Sequence, residues 1–410
     1  MINNKVNLCF LKKAAGILLA ATSFLVMACS ENVKELSPLS THELGIAIPS
    51  GQSREYSYTD KNGGFYYGMT STDDWGDWFA GWNIYAKRIF ADYRLYVDGE
   101  RLLRENARTS VYPDKLVRSY EEAVETFCLV DEPKLLCVRM DSVQGKQISF
   151  MLMGGNVVDA RKDGNSVLYT TKESPENVIR IASVAEAGIE FADNLITVPV
   201  AADGFLIAFG TEEDSRQAIA GFRKEGEKWL SARSQRIQSL LDHNPLKTNL
   251  DSLDHALAWI MLTNDQLITH QHGGYGMYAG LPWFTDFWGR DMFISMPGAV
   301  LCTGQFDTAR DILASFARYQ DTISTSPTYG RVPNRLNLEG ILYNTTDGTP
   351  RFVMQVHDYL KYTGDTAFVA EMYPQLLSYY RWWYEKRDHN RNGMCEYGAT
   401  DGTLEAAAWE

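Results

Sequence analysis

The stretch Pro282 to Asp291, PWFTDFWGRD, sets four aromatic rings, one arginine and two aspartates within ten residues. That is too much charge for an ordinary core and too many rings for an ordinary surface loop. The combination suits one wall of a sugar pocket, because flat rings stack on the C–H faces of a pyranose. An arginine beside an aspartate adds a planar donor fork next to a two-oxygen acceptor, a match for vicinal hydroxyls. Trp283 and Trp288 are the candidate stacking floor, and Arg290 and Asp291 the candidate hydroxyl ligands. The pair reads as the start of a helix through DMFISMPGAV, whose dipole favours the Asp291 carboxylate. A helix cap with a structural salt bridge, and the tryptophans in a core, would use the same residues, so the pair alone does not decide.

A second constellation lies in DHNRNGMCEYG. Asp388, Asn390, Asn392 and Glu396 follow the spacing D-x-N-x-N-G-x-x-E, in which alternating oxygens of a tight loop converge on a hard cation and Gly393 permits the turn. The carbonyl of Met394 offers one more oxygen. An EF-hand is not implied, because Ala399 stands where its twelfth-position acid belongs. A polar turn between helices is the plainer reading of the same residues.

The elements that would carry these residues fall into two halves. From about residue 50 to 210, SREYSYT, RLYVDG, KLLCVRM, QISFMLMGG, VIRIASV, NLITVPV and GFLIAFG read as short strands parted by turn residues, the pattern of a β-sandwich. ETFCLVDEPKLLCVRM reads as a hairpin turning at Asp131 to Pro133, which sets Cys128 opposite Cys137, either bridged or as two buried thiols. After Gly210 a charged stretch of helical period forms a connector, and from Asn249 helices dominate. Leu253, Leu257 and Ile260 share one helical face, as do Ala309, Ile312, Leu313 and Phe316. Two later helices break at Pro374, with Leu376, Tyr380 and Trp383 on one stripe. THQHGGYGMYAGLPWFTDFWG and TSPTYGRVPNRLNLEGILYNTTDG lack a period and read as long functional loops. The expected organisation is thus 1–29 export signal, 30–211 sandwich, 212–249 helical linker and 250–410 helical domain.

Composition narrows the partners. The chain has 410 residues, a globular balance of 45% hydrophobic and 22% charged, and a net charge of −13 without a basic cluster, which argues against nucleic acid. Lys5, Lys12 and Lys13 precede an apolar run ending in small residues and Cys29, a secretory signal too short to span a membrane. LVMAC resembles a bacterial lipobox, which implies lipidation of Cys29 and a protein exported and anchored to the membrane, on the periplasmic side or the cell surface. An ordinary cleaved signal remains the alternative. No CxxC or Cys/His cluster suggests zinc.

AGLPWFTDFWGRDMFISMPGAVL resembles the glucosidase region of glycogen-debranching enzymes, whose pattern is W-x-x-D-W-G-R-D before an apolar helix. GRVPNRLN and YNTTDGTPRFVMQVHDYLKYTGD resemble the same enzymes in the same order, so the likeness covers most of residues 270 to 365. It implies that Arg290 and Asp291 hold the outer hydroxyls of a terminal glucose, and that Asp286, Asn334, Arg335 and Asp347 line the same pocket. Phe287 is an extra residue against that pattern and leaves the placement of Asp286 open. Processing α-glucosidases carry a segment similar to RDHNRNGMCEYGA with bound calcium, which favours the cation reading of the second constellation.

EYGATDGTLEAAAWE resembles the approach to the general acid in α-glucosidases and trehalases, and by analogy with glucoamylases Glu410 is the candidate acid. The resemblance implies an N-terminal β-sandwich before part of an (α/α)6 toroid, and inverting hydrolysis of terminal α-linked glucose from an α-glucan or oligosaccharide. Inversion needs two carboxyls far enough apart to admit a water, and the base of the relatives lies later than Glu410. The sequence therefore reads as an N-terminal portion of a lipid-anchored glycoside hydrolase, of debranching or α-glucosidase type. A trehalase-like or mannosylglycerate-hydrolase-like enzyme is one alternative, and a non-catalytic glycan-binding lipoprotein is another.

Overall fold

The computed structural model describes residues 37–394, apart from 75, 155–156, 173, 199–202, 272, 338–339, 346 and 389. Every stretch expected to be a strand contains one, and hairpin partners fill the spaces between them. The strands of the first half form three antiparallel sheets. The largest runs Ile46–Ile48, Arg108–Val111, Leu116–Ser119, Val124–Leu129, Leu135–Asp141, Gly204–Gly210, Val178–Ser183, Ser166–Thr171 and Val157–Asp163. A second is built on Asp92–Val97 and Ile148–Met153, and a third on Gly64–Met69 and Gly81–Ile84. Inward-pointing side chains of all three meet in one core, where Trp82, Leu95, Phe127, Leu136, Phe150 and Phe205 are buried together. Cys128 faces Cys137 in the register of the Val124–Leu129 hairpin, as its sequence suggested. Both are free thiols, and burial pushes the Cys128 thiol up to about 12 and Cys137 up as well.

The charged stretch after Gly210 becomes one helix, α1 (Glu212–His243), capped by the Thr211 hydroxyl accepting from the Asp214 amide at 3.1 Å. At 1.5 Å per residue it spans roughly 48 Å. It is more than a tether, because Ala218, Ile219 and Phe222 pack on Leu135, Cys137, Leu206 and Ala208 of the large sheet. Farther along, Ile237 and Leu241 meet Leu44 and Leu262.

Among the described residues five α-helices follow: α2 (Asp251–Leu267), α3 (Gly289–Met296), α4 (Phe306–Arg318), α5 (Gly348–Thr363) and α6 (Thr366–Trp382). The stripe expected on α4 is fully buried. On α2 the expected stripe is open, with Ile260 57% exposed, and Asp254, Leu262 and Asp265 form the buried face. Charge pairing moved that face: Asp265 is drawn in by Lys61 and Arg236. Helix α6 is continuous through Pro374, against the expected break. A proline removes one helical bond, and the packing of Phe368, Met372, Tyr379 and Trp382 on either side offsets that loss. The break falls instead at Gly364, with φ of +69°, and Asp365 caps α6 by accepting from the Phe368 amide at 3.0 Å. Leu376 is half-buried and Tyr380 exposed, so the buried stripe is rotated from the expected one.

The two stretches read as aperiodic loops are the largest correction. They supply a five-stranded sheet, Ile268–Gln271, Gly274–Gly280, Phe284–Trp288, Arg335–Asn337 and Gly340–Leu342. Glycines hid the alternation. At Gly276 a Cβ would stand 2.5 Å from the Phe287 ring, so the absent side chain is what lets that ring lie across the neighbouring strand.

The two halves are joined by charges. Asp131, at the tip of the Cys128 hairpin, pairs with Arg233 and, at 2.8 Å, with Arg236 on α1; Arg236 bonds Asp265 of α2 at 2.5 Å, and Lys61 stands 3.1 Å from that carboxylate. The Gly63 amide also donates to the Thr269 hydroxyl at 2.7 Å. Among the described residues, no helix is long and apolar enough to cross a membrane.

Candidate functional site

The strand Phe284–Trp288 alternates strictly. Thr285 and Phe287 are buried, while Asp286 and Trp288 lie half-buried on the opposite face. Phe287, the residue that interrupts the expected spacing, is the core-facing member, packed on Tyr278. Antiparallel pairing places Trp288 across from Arg335 and Phe287 across from Leu336. The next residues along put Asn337 beside Asp286, whose Oδ2 accepts from the Asn337 amide nitrogen at 3.1 Å. Arg335 Nε stands 3.8 Å from the same oxygen, an ion-pair distance, and the guanidinium lies 5.6 Å from the centre of the Trp288 ring. The outer face of this strand pair is therefore a carboxylate, an amide, a guanidinium and an indole side by side.

The strand turns into α3 at Gly289, and the turn is tight. The Gly289 amide donates to the Asn334 carbonyl at 2.7 Å, and a Cβ there would stand 2.4 Å from the Pro333 carbonyl oxygen. The glycine of W-G-R-D is thus required by a close backbone approach. Asn334 is 4% exposed: it donates to Asn344 Oδ1 at 3.0 Å, and its own Oδ1 is buried without a hydrogen-bond partner among the described residues.

Arg290 and Asp291 both lie in the first turn of α3, but they are not paired with one another. Arg290 Nε donates to both oxygens of Asp347, at 2.9 Å each, and Arg351 Nε donates to Asp347 Oδ2 at 2.9 Å. Asp347 precedes α5 and Arg351 lies one turn further on, which is why they meet. Burial pushes the Asp347 carboxyl up, yet the hydrogen bonds and charges of Arg351 and Arg290 outweigh that and hold it below the usual carboxylate range. The terminal nitrogens of Arg290 make no hydrogen bond among the described residues and remain available as donors. Asp291 is exposed and has no partner among those residues.

Trp283 is 60% exposed and Phe284 is also open, whereas Trp288 is partly covered by Arg335. The free stacking surface is therefore Trp283, with Trp288 serving also to position Arg335. Sequence reading missed Asn337 and Arg351. Both had a signal: Asn337 is two residues from Arg335 along a strand, and Arg351 is four from Asp347 along a helix.

In the second constellation, Asp388 Oδ1 and Oδ2 accept from the Asn392 and Gly393 amides at 2.8 and 2.9 Å. Asn390 and Asn392 likewise accept from backbone amides through their side-chain oxygens. The turn bends with Arg391 at φ of +59° and Gly393 at +84°. These oxygens fit a hard cation through their remaining lone pairs. No group of three His, Cys, Asp or Glu suited to a metal occurs among the described residues. Glu396, Cys29 and Glu410 lie outside them.

Comparison with known proteins bears on this corner. Residues 259–394 match the family model described as amylo-alpha-1,6-glucosidase. The glycogen debranching enzyme of Saccharomyces cerevisiae is 37% identical over 89 residues, a match covering 20% of this chain and 5% of that enzyme. The stretch 259–394 is a glucosidase-like glycoside hydrolase region. The match spans only about a twentieth of the curated relative.

Proposed function

We propose that the corner formed by Phe284–Trp288, Arg335–Asn337 and the start of α3 binds the terminal glucose of an α-glucan or α-linked oligosaccharide, within an enzyme that removes it with inversion. The observation that carries this is the open indole of Trp283, immediately before the strand whose Asp286 accepts from Asn337 at 3.1 Å, inside the region that matches a glucosidase family. Arg290 offers its terminal nitrogens to adjacent hydroxyls while Asp347 fixes its Nε. Asp291 supplies an acceptor on the same helical turn. Asp347, held ionised by two arginines, is a positioning group and a poor general acid. Proton transfer is assigned to Glu410, by resemblance. In this reading helices α2 to α6 are part of an (α/α)6 toroid behind a β-sandwich.

Calorimetric titration with maltotriose and isomaltose tests the binding. Trp283→Ala should weaken it about tenfold or more, the loss of one stacked ring; wild-type protein that binds neither sugar overturns the reading. Released glucose should appear first as the β-anomer, which proton NMR distinguishes from the α-anomer of a retaining enzyme. Glucose release from trehalose in preference to maltotriose would instead support the trehalase-like alternative. Binding without release would support a non-catalytic glycan-binding protein, a reading favoured by the chemistry of the groups gathered here, which suits holding hydroxyls better than transferring protons.

The Asp388 turn is proposed as a structural calcium site, completed by Glu396. Chelation should lower the melting temperature, and calcium should restore it. An unchanged melt with no bound ion by elemental analysis removes the site. Lipidation at Cys29 and placement at a membrane surface remain part of the proposal, and a mass increase on the tryptic peptide beginning at Cys29 checks them.

A further inference from the structure

Away from this corner, a cavity of about 760 Å³ lies between the sheets and α1. That is the size of a ligand pocket. Its lining includes Asn62, Tyr85, Lys134, Asn177, Gln217 and Trp229. The Tyr85 ring is a fixed wall. The Lys134 ammonium sits 3.9 Å from its centre, a Cβ on Gly63 would stand 2.3 Å from its edge, and its hydroxyl donates to Asn62 Oδ1 at 3.4 Å. Trp229 lies along α1 where Gly221 leaves room, since a Cβ there would come within 2.7 Å of the indole, and its ring is held edge-on by Phe222.

The polar groups are arranged for a ligand without net charge. Lys87 and Lys134 on the lining are matched by Glu176 and Asp214. Asn177 and Gln217 donate their side-chain amide nitrogens to Glu176 and Glu213, at 3.1 and 2.7 Å, and their side-chain oxygens have no hydrogen bond among the described residues. The side-chain nitrogen of Asn62, Nδ2, is equally unengaged among them, while its Oδ1 accepts from Tyr85. Two acceptors, a donor and a half-buried indole around a balanced concave surface match hydroxyls on a flat ring.

We propose that this cavity is a second carbohydrate site, which takes a short neutral oligosaccharide, with Trp229 stacking and Asn177, Gln217 and Asn62 bonding hydroxyls. The choice of an α-glucan as the sugar rests on the function proposed above.

The test is titration of the whole chain with maltohexaose, comparing wild type, Trp283→Ala and the double variant Asn177→Ala/Gln217→Ala, whose positions are surface-accessible and leave the core intact. Two binding classes are expected in the wild type. The double variant should weaken one by about tenfold or more, two hydrogen bonds' worth, and Trp283→Ala the other. A double variant indistinguishable from wild type overturns the second site while leaving the first. Loss in the double variant with none in Trp283→Ala overturns the corner and keeps this site. Wild-type protein that does not bind maltohexaose overturns both.

Discussion

Gly289 shows how a single missing atom decides the corner. Gly289→Ala drives a methyl against the Pro333 carbonyl, Phe316 and Phe293, so either the 331–334 segment or α3 must shift. The expected cost is about 1–3 kcal/mol in urea denaturation, with weakened maltotriose binding beyond what the stability loss explains. Asp347 gives a pH signature. Its folded pKa is depressed, so its stabilising contribution is complete above the ordinary carboxylate range and is lost as pH falls through the lower folded value. Melts from pH 6 to pH 2 should show that loss, and Asp347→Asn should flatten it. Trp283 and Arg290 stood out in the sequence because their types are unusual for their setting, whereas Asp347 was named only through the family resemblance. The pairing of Arg290 with Asp347 was not legible: the sequence places Arg290 next to Asp291, and only the fold brings Asp347 across from α5 to take the guanidinium.

At the scale of elements, the turn at residues 60–63 stands out. Asp60 is fully buried, with Oδ1 accepting from the Asn62 and Gly64 amides at 2.8 and 2.7 Å and Oδ2 without a partner among the described residues. Burial, only partly countered by the two amides, pushes its carboxyl up to about 6. A raised acid pKa means that folding is penalised once the group ionises. The penalty grows as pH rises from about 4 to about 6 and is constant above, amounting to about 3 kcal/mol. Asp60→Asn lacks this term, so its stability relative to wild type should rise by that order between pH 4 and pH 7; a pH-independent difference would show that folding does not raise the pKa of the Asp60 carboxyl. Strands with clean alternation were readable, as was α4, whose stripe of Ala309, Ile312, Leu313 and Phe316 faces inward. The five-stranded sheet was not, because small residues occupy the positions that would have carried its period. The α2 stripe misled because buried ion pairs, rather than apolar area, chose which face turned in.

Across the whole molecule, the β-rich half and the helices share one charged junction. Asp131→Ala would leave Arg233, 2% exposed, and Arg236 without their hairpin partner. The expected loss is about 3–5 kcal/mol, with denaturation monitored by tryptophan fluorescence and by far-ultraviolet circular dichroism no longer coincident as the halves come apart. Order along the chain, strands first and helices after, was plain from the sequence. That the linking helix packs on the large sheet was less so, since its charged surface resembles a free connector.

That junction also bears on where the molecule can be cut. The family resemblance begins at residue 259, inside α2, yet Asp265 takes its counter-charges from Lys61 and Arg236, both upstream. The segment recognised by kinship is therefore smaller than the unit that folds. A gene fragment opened at residue 259 would carry the corner around Asp286 and Arg290 but sever α2 and strip a buried carboxylate of both its cations, so a portable version of this corner must take the β-rich half with it.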